Sequence, residues 1–458
     1  MSSRILFRSV ELRSREIVDV LIGDGAVQDV APRLDLDGVA EVEGRGGALL
    51  PGLHDHHIHL FATAAAASSV ICGPPQVRTP EQLAIELAGV PGAGWVRGIG
   101  YDESVAGPLD RHVLDGLLAG RPIRVQHRGG SLWSLNSLAV EALNLADVED
   151  AGVERDEAGR PTGRLWRMDH WLRHAISDDP TPPALSALGM RLASFGITGV
   201  TDASPGDAAA LVSAGLRQRL WSMGEETAGA EVAPRKIVIG DHALPAIDDL
   251  AADIAAAHDE GRPVALHSVT RDSLLLLLAA FDDVGAIPGD RIEHAAVCPA
   301  EAIERIRYHG LTVVTQPSLL GTRGDDYLDT VDSDDVPHLW RYGTLLDAGI
   351  PVGLSSDAPY GDLDPWHTIA AAVTRTAPSG RVLGAAERVT ADVALAGFLT
   401  DPGDPGGPPR EVRIGAPADL VLLDSPLSEI LDKPSATHVR TTFIGGYTAF
   451  GREGWRRM

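Results

Sequence analysis

Three features of the sequence predict an α/β fold. In this fold a (β/α)8 TIM barrel is joined to a small β-sandwich built from both termini. Short apolar segments alternate with helical segments through the middle of the 458-residue chain. Both ends of the chain show strand-like alternation, broken by turn-forming Asp-Gly and Gly-Gly pairs. The middle region also supplies eight strand-plus-helix units, and eight units over about 250 core residues match the size of such a barrel.

Eight segments of the middle region are the predicted barrel strands. In chain order they read LHDHHIHL, ITGVTDA, RQRLWSM, KIVIG, PVALHS, RIEHAAV, LTVVTQP and PVGLSSD. Helical segments lie between most of them, for example at residues 246–260 and 299–309. A doubly wound sheet is the alternative, because it also alternates strands with helices.

The strand positions divide the chain into regions. We assign residues 1–53 and 406–458 to the two parts of the sandwich, and residues 54–405 to the barrel. The stretch between the first two predicted strands is far longer than an ordinary connection. We therefore treat residues 73–181 as an insertion at the carboxyl end of the first strand. Part of it is expected to cover the mouth of the barrel, where barrel loops build active sites.

Composition restricts the partners and the compartment. The 39 Lys and Arg against 64 Asp and Glu give a net charge of -25, which disfavours nucleic acid and anionic membranes. The two cysteines, Cys72 and Cys298, lie far apart, which fits a reducing compartment. The longest strongly apolar segment, residues 274–281, is too short to span a bilayer and is predicted to be a buried helix. We expect a cytoplasmic protein that acts on a small molecule, and a homodimer is considered.

The segment PGLHDHHIHL, residues 51–60, concentrates histidines on the first predicted strand. Residues two apart share a face of a strand, so His57 and His59 point the same way and can bind one metal ion together. The alternative is a polar strand end whose histidines only form hydrogen bonds. His54 and His56 point to the opposite face and are expected to be structural.

Metal-capable side chains also end three later strands. His267 closes VALHS, His294 closes RIEH, and Asp357 closes GLSSD. In a barrel these carboxyl ends build the active-site face, so the three side chains would converge with His57 and His59. Imidazoles with one carboxylate suit Zn²⁺ or another borderline divalent ion. The sequence therefore predicts one or two divalent metal ions per chain.

These motifs resemble the amidohydrolase superfamily. Longer phrases are similar to its amidohydrolase-3 branch, which looks like N-acyl and N-substituted-formamide hydrolases. The phrases are GYDES, LNSLAV, GITGVTDA, HGLTVVTQPS, LLDAGIPVGLSSDAPYGDLDPWHTIAAAVTR and GAPADLVLLD. They run over nearly the whole chain in family order. The resemblance implies a metal-bearing barrel with a sandwich made from both termini.

The resemblance also implies roles for the site residues. His57 and His59 would bind the more buried metal, and His267 and His294 the more exposed one. Asp357 would ligate the buried metal and take the proton of the attacking water. Lys236, in PRKIVIGD, is the candidate for a carboxylated lysine that bridges two metals. A surface lysine is the alternative, because Lys236 opens its apolar segment and strand starts face away from the site.

Two positions depart from the pattern of the branch. Ser131 stands where a histidine is common, and His242 stands at a glycine position. Both fall where substrate contacts are expected, so both are candidate substrate-binding residues, together with Gln316. Four tryptophans of the insertion fit either its core or contacts to an aromatic substrate: Trp95, Trp133, Trp166 and Trp171.

The expected reaction is hydrolysis of a carbon–nitrogen bond other than a peptide bond, in an amide, formamide, lactam or ureido group. A divalent ion lowers the pKa of its water from about 15.7 towards about 7, and the hydroxide attacks the polarised carbon. Asp357 then delivers the proton to the leaving nitrogen. His267, His294 or Gln316 would help to stabilise the oxyanion. The alternatives are an amidine-type deaminase with one metal and a catalytically silent barrel that binds a small ligand.

Overall fold

The structure is a computed structural model, and it describes residues 4–176, 184–204, 206, 208–240 and 244–452. The chain forms two compact units. The larger unit comprises Met1–Leu60 and Ala184–Met458, and the smaller one comprises Phe61–Pro183. Across the described ranges, every helix is too short or too polar to cross a membrane.

Strands and helices are numbered in chain order. The strands are β1 Ile5–Glu11, β2 Ile17–Gly23, β3 Ala26–Ala31, β4 Ala40–Glu43, β5 Leu49–Pro51, β6 Leu53–Ile58, β7 Val70–Ile71, β8 Val96–Tyr101, β9 Ile123–His127, β10 Leu132–Leu135, β11 Val153–Arg155, β12 Pro161–Trp166, β13 Ile197–Asp202, β14 Arg219–Ser222, β15 Glu231–Val232, β16 Arg235–Val238, β17 Val264–Ser268, β18 Arg291–His294, β19 Thr312–Thr315, β20 Val352–Leu354, β21 Thr400–Asp401, β22 Asp404–Pro409, β23 Leu420–Leu423, β24 Val439–Ile444 and β25 Tyr447–Gly451. The helices are α1 Leu60–Ala66, α2 Pro80–Ala88, α3 Glu103–Ala106, α4 Arg111–Leu117, α5 Ser137–Ala142, α6 Asp169–Ile176, α7 Ser186–Ser194, α8 Ala209–Ser213, α9 Ile247–Asp259, α10 Arg271–Val284, α11 Ala300–His309, α12 Ser318–Thr330, α13 Tyr342–Asp347, α14 Pro365–Thr374, α15 Ala391–Leu399 and α16 Leu427–Asp432.

Two parallel sheets form the centre of the larger unit. One has the strand order β15-β14-β13-β6, and the other has the order β16-β17-β18-β19-β20. The eight predicted strands are all present, as β6, β13, β14 and β16 to β20. Helices α9 to α13 lie between successive strands of the second sheet and bury apolar faces. The predicted buried helix at residues 274–281 is part of α10, whose leucines include several fully buried ones.

Parallel pairing brings the carboxyl ends of the strands of the second sheet to one edge. Val238 pairs with His267, and Ser268 pairs with His294. One strand further along, Glu293 pairs with Val314. The residues at the ends of β17 and β18 therefore lie side by side, as they must if they contribute to one site.

Both ends of the chain contribute to two four-stranded sheets. Their strand orders are β3-β2-β1-β4 and β25-β24-β23-β5, and β5 from the N-terminal region pairs with β23 from the C-terminal region. Apolar side chains of both sheets form one buried cluster. Within it the rings of Phe7 and Phe443 meet edge to face at 5.1 Å. The two predicted all-β ends are therefore present and share a core.

The smaller unit is built on a six-stranded sheet with the order β11-β12-β10-β9-β8-β7. Trp133 is buried in one of its apolar clusters, and Trp95 and Trp171 pack against the same cluster. The indole N–H of Trp166 donates to Glu154 at 3.1 Å. For Trp95, Trp133 and Trp171 the core interpretation is correct. That part of the insertion covers the barrel mouth remains a prediction.

Candidate metal centre

The histidines of the first parallel strand have two different surroundings. β6 is buried along its whole length, so its polar side chains need partners inside the protein. Nε2 of His54 lies 2.9 Å from the hydroxyl oxygen of Thr201, and Nε2 of His56 lies 2.9 Å from that of Thr400. These two histidines have structural hydrogen bonds, in agreement with the expectation from strand alternation.

Three metal-capable side chains meet around the next histidine of β6. Ligand atoms of His57, His294 and Asp357 lie within 4.8 Å of one another. Nε2 of His57 and Nε2 of His59 lie 3.5 and 3.6 Å from Oδ1 of Asp357. That oxygen is buried and has no hydrogen-bond partner among the described residues. A buried carboxylate oxygen without a partner is costly, so this position favours a cation.

An unusual backbone conformation brings two of these side chains into the cluster. The φ angle is 74° at His294 and 51° at Asp357, values that residues with a Cβ rarely adopt. At His294 the turn lets the consecutive residues Glu293 and His294 both contact His57, whereas a regular strand points neighbours to opposite faces. The Asp357 N–H donates to the His57 carbonyl at 2.9 Å, which fixes the loop. Backbone strain of this kind concentrates at functional sites.

Asp55 anchors the loop that carries Asp357. Its carboxylate accepts from the Ser356 N–H at 3.0 Å and from the Ser356 hydroxyl at 2.5 Å. Burial raises the pKa of Asp55 to about 6, and the bonds from Ser356 oppose that shift. Asp55 thus fixes the position of the loop next to His57.

Two residues of the second parallel sheet extend the cluster. The ring centroids of His267 and His294 are 4.6 Å apart, and Nζ of Lys236 lies 3.4 Å from Nε2 of His57. The alternative of a surface lysine is therefore not supported, and the role of Lys236 as a bridge remains a prediction. Val238 pairs with His267, so Lys236 lies one side-chain repeat earlier, about 7 Å along the strand. Its long side chain spans most of that distance.

The three predicted substrate-binding residues lie in different places. Gln316 is buried, accepts from Nδ1 of His294 at 2.9 Å and donates to the Ser355 hydroxyl at 2.8 Å. Ser131 belongs to the smaller unit, where its carbonyl accepts from the Arg167 N–H at 2.7 Å. His242 lies outside the described residues. Substrate contact by all three remains a prediction.

Burial determines the protonation states within the cluster. It lowers the pKa of His59 and His294 to about 3, and that of His57 well below its usual value. The three imidazoles are therefore neutral at pH 7, which is the state that binds a metal. Burial also raises the pKa of Asp357 to about 7, and the nearby Lys236 ammonium opposes that shift. The pKa of Lys236 itself is lowered by burial to about 8.

Sequence reasoning missed Glu293, which is fully buried beside the cluster. Its carboxylate bonds to Nδ1 of His57, and Nε of Arg291 donates to it at 2.6 Å. The available signal was the phrase RIEH, in which two charged residues, Arg291 and Glu293, share one face of a fully buried strand. Such a pair inside a buried strand must have an internal partner.

The spacing of the ligand atoms suits a tetrahedral metal ion. With metal–ligand bonds of about 2.1 Å, the ligand atoms of such a site lie about 3.4 Å apart. The distances from Oδ1 of Asp357 to Nε2 of His57 and to Nε2 of His59 are 3.5 and 3.6 Å. Together with the neutral imidazoles and the unpaired carboxylate oxygen, this spacing fits a divalent metal.

Comparison with known proteins agrees with this geometry. The chain is 25% identical to an N-substituted formamide deformylase from Arthrobacter pascens, over 98% of this chain and 97% of that protein. Two uncharacterized metal-dependent hydrolases have similar folds. The one from Pyrococcus horikoshii OT3 has a TM-score of 0.73 at 19% identity and covers 96% of this chain and 100% of its own. The one from Pyrococcus furiosus has a TM-score of 0.69 at 20% identity and covers 93% and 100%.

The sequence pattern of the amidohydrolase family matches residues 40–450. This match includes every metal-capable residue of the cluster and most of both compact units. The chain therefore belongs to the amidohydrolase family, and so is a hydrolase of carbon–nitrogen bonds, as the sequence predicted.

Proposed function

We propose that this protein hydrolyses a non-peptide carbon–nitrogen bond at a divalent metal centre, with Zn²⁺ as the favoured ion. The ligands are His57, His59, His267, His294 and Asp357. One observation carries the proposal: neutral imidazoles surround a buried carboxylate oxygen of Asp357 that has no hydrogen-bond partner among the described residues.

The two parallel sheets are proposed to close into one (β/α)8 barrel. Two backbone hydrogen bonds support the closure. The backbone N–H of Lys236, in β16, donates to the Met223 carbonyl, which directly follows β14, at 3.2 Å. The backbone N–H of Asp357, which follows β20, donates to the carbonyl of His57, in β6, at 2.9 Å. The two terminal sheets would form the sandwich, with domain limits at residues 1–53, 54–405 and 406–458.

We assign the ligands to two positions. His57 and His59 would hold the more buried ion together with Asp357, and His267 and His294 would hold the more exposed one. Lys236 is the proposed bridge, after its amine has reacted with carbon dioxide to a carbamate and released a proton. Its burial supports this role, because the pKa of about 8 raises the share of the neutral, nucleophilic amine.

The bound metal would supply acidification of water and polarisation of the scissile carbonyl. Asp357 accepts a proton from the attacking water and returns it to the leaving nitrogen. Burial raises the pKa of its carboxyl group, which favours a group that must both take and give a proton. Gln316 holds the imidazole of His294 by its amide oxygen at 2.9 Å.

The substrate class follows from the relative that spans the whole chain. Its name, N-substituted formamide deformylase, makes a formamide or a closely related amide the first candidate. Asp357 also suits the deamination of an amidine-type ring, which remains the second candidate. Cys72 and Cys298, which are buried free thiols, support a reducing cytoplasm, and a homodimer remains a prediction.

A hydrolysis screen tests the proposal. Metal-loaded protein is incubated with N-formyl, N-acyl, hydantoin and lactam compounds and with amidine-type rings, and the released amine, acid or ammonia is measured. We expect turnover of a formamide or amide that is lost after metal removal and restored by Zn²⁺. Turnover that persists in fully metal-free protein would contradict the proposal, whereas ammonia release from the amidine rings alone would replace the first candidate substrate with the second.

A further inference from the structure

A chain of three buried side chains leads from the interior of the larger unit to the metal centre. Nε of Arg291 donates to Oε1 of Glu293 at 2.6 Å, and Oε2 of Glu293 bonds to Nδ1 of His57. Arg291 is 1% exposed, and Glu293 and His57 are both fully buried. Arg291 and Glu293 lie two apart on β18, so they share a face of that strand.

We propose that Glu293, with its charge balanced by Arg291, is a positioning residue that fixes the tautomer and ring orientation of His57. This inference rests on the proposed metal centre, which it refines. An ionised carboxylate can accept hydrogen bonds but cannot donate them. The proton between the two residues therefore belongs to Nδ1 of His57. Nε2 is then left without a proton on the side of Lys236, at 3.4 Å, and of Asp357, at 3.5 Å.

Arg291 balances the charge of the buried Glu293 carboxylate. A lone carboxylate in such a place would be strongly disfavoured, whereas a guanidinium in hydrogen-bond contact offsets the loss of hydration. Arg291 is itself held, because Nη2 donates to the His56 carbonyl at 3.1 Å. The guanidinium therefore keeps Glu293 an acceptor and fixes its position with respect to β6.

A purely structural ion pair would explain the burial of Arg291 and Glu293, but it would not require the second oxygen of Glu293 to bond the histidine. The two explanations differ in what happens to His57 when the charge is removed while the shape is kept. Contacts that orient a metal-binding histidine typically change metal affinity by about 10–100-fold. A structural pair would change stability and leave metal affinity unaltered.

The first measurement compares metal affinity. Glu293→Gln keeps the shape but adds an N–H that competes with Nδ1–H of His57. Zn²⁺ affinity is measured by competition with a chelator, and we expect a loss of about 10–100-fold. The matched control is Glu387→Gln, because Glu387 is also buried and pairs with Arg341 at 3.3 Å and with the Thr344 N–H at 2.7 Å. The control variant should bind Zn²⁺ like the unmodified protein.

The second measurement needs no metal and no substrate. Nitrogen NMR of ¹⁵N-histidine-labelled, metal-free protein reports the tautomer of His57, with the signal assigned by its loss in His57→Gln. We expect Nδ1–H in the unmodified protein and a mixture or the Nε2–H form in Glu293→Gln. Because the tautomer of the unmodified protein is read without Glu293→Gln, an Nε2–H signal would overturn the proposal even if that variant does not fold.

A pair of Arg291 variants tests the charge balance. Arg291→Lys keeps a cation beside Glu293, whereas Arg291→Met removes it, so Zn²⁺ affinity should fall less in the first than in the second. An Nε2–H tautomer in the unmodified protein would overturn the proposal, and so would unchanged Zn²⁺ affinity in a folded Glu293→Gln. If the unmodified protein binds no metal at all, the proposed function fails instead, while the tautomer still tests Glu293.

Discussion

Two groups of metal-capable side chains in this protein resemble each other in composition but differ in their surroundings. Within the described ranges, ligand atoms come within 4.8 Å of one another in His57, His294 and Asp357 of the larger unit. The same holds for Asp102, Glu103 and His127 of the smaller unit. Each group has an imidazole and a carboxylate, so ligand chemistry alone would make both of them metal sites.

The partners of the ligand atoms separate the two groups. In the smaller unit Nε2 of His127 bonds to Glu103 at 2.9 Å, and its Nδ1 accepts from the Gly129 N–H at 3.0 Å. Asp102 pairs with Nε of Arg128 at 2.8 Å. The Glu103 side chain is 44% exposed, so water satisfies it as well. By contrast, Oδ1 of Asp357 is buried without a partner among the described residues.

We therefore use an unsatisfied buried acceptor, and not the residue types alone, to choose between the two groups. A metal at Asp102, Glu103 and His127 would have to displace an arginine, two hydrogen bonds and water. At His57, His294 and Asp357 a metal ion would instead give the buried Oδ1 of Asp357 a positively charged partner. We therefore assign the metal to the larger unit, and the following variants test that assignment in order of expected effect.

His57→Ala should produce the largest change in metal binding. The variant loses a buried imidazole that a methyl group cannot replace, so we expect Zn²⁺ affinity to fall by more than about 100-fold, beyond the loss expected for a contact that only orients a ligand. Elemental analysis after dialysis against limiting Zn²⁺ measures the loss. Retention of the full metal content would remove His57 from the site.

Asp357→Asn should separate metal binding from catalysis. The amide keeps an oxygen near the metal but cannot accept the proton, so turnover should fall by about 10²-fold or more while metal content persists. Both quantities are measured on one preparation, with the substrate that the screen identifies. Near-normal turnover would show that Asp357 is not the proton carrier.

His54→Ala should affect stability without affecting the metal. His54 is 1% exposed, bonds to the Thr201 hydroxyl at 2.9 Å and packs edge-on against Trp221 at 5.1 Å. Its removal leaves a cavity and an unpaired hydroxyl, which together cost roughly 3 kcal/mol in the free energy of unfolding. Denaturant unfolding measures that cost, and a simultaneous loss of Zn²⁺ would contradict the separation of the two faces of β6.

His127→Ala should have the smallest effect. It removes a half-exposed hydrogen bond to Glu103, worth about 1 kcal/mol of stability at most, and should leave the metal content unchanged. The measurement is the Zn²⁺ stoichiometry under the conditions used for His57→Ala. A drop by one equivalent would show that the smaller unit also holds an ion and would abolish the contrast.

The alternation of short apolar and helical segments was enough to place the eight parallel strands. Strand alternation alone also separated His57 from His54 and His56, because side-chain direction in a strand depends only on sequence parity. Family resemblance supplied the predicted roles of Asp357 and Lys236, which spacing does not reveal.

Other features of the site depended on three-dimensional context. The left-handed backbone at His294 and Asp357 could not be predicted, because residues other than glycine seldom adopt it and their sequences carry no signal for it. The position of Lys236 required the register between β16 and β17. Glu293 was missed because its role depends on β6 lying opposite β18, a contact between residues 236 positions apart.

Anomalous X-ray diffraction from crystals of the Zn²⁺-loaded protein, collected on both sides of the zinc absorption edge, tests the assignment most directly. We expect an anomalous peak bounded by His57, His59 and Asp357, with a second peak near His267 and His294 if two ions bind. A peak at Asp102, Glu103 and His127 alone, or the absence of any peak near Asp357 at saturating Zn²⁺, would contradict it.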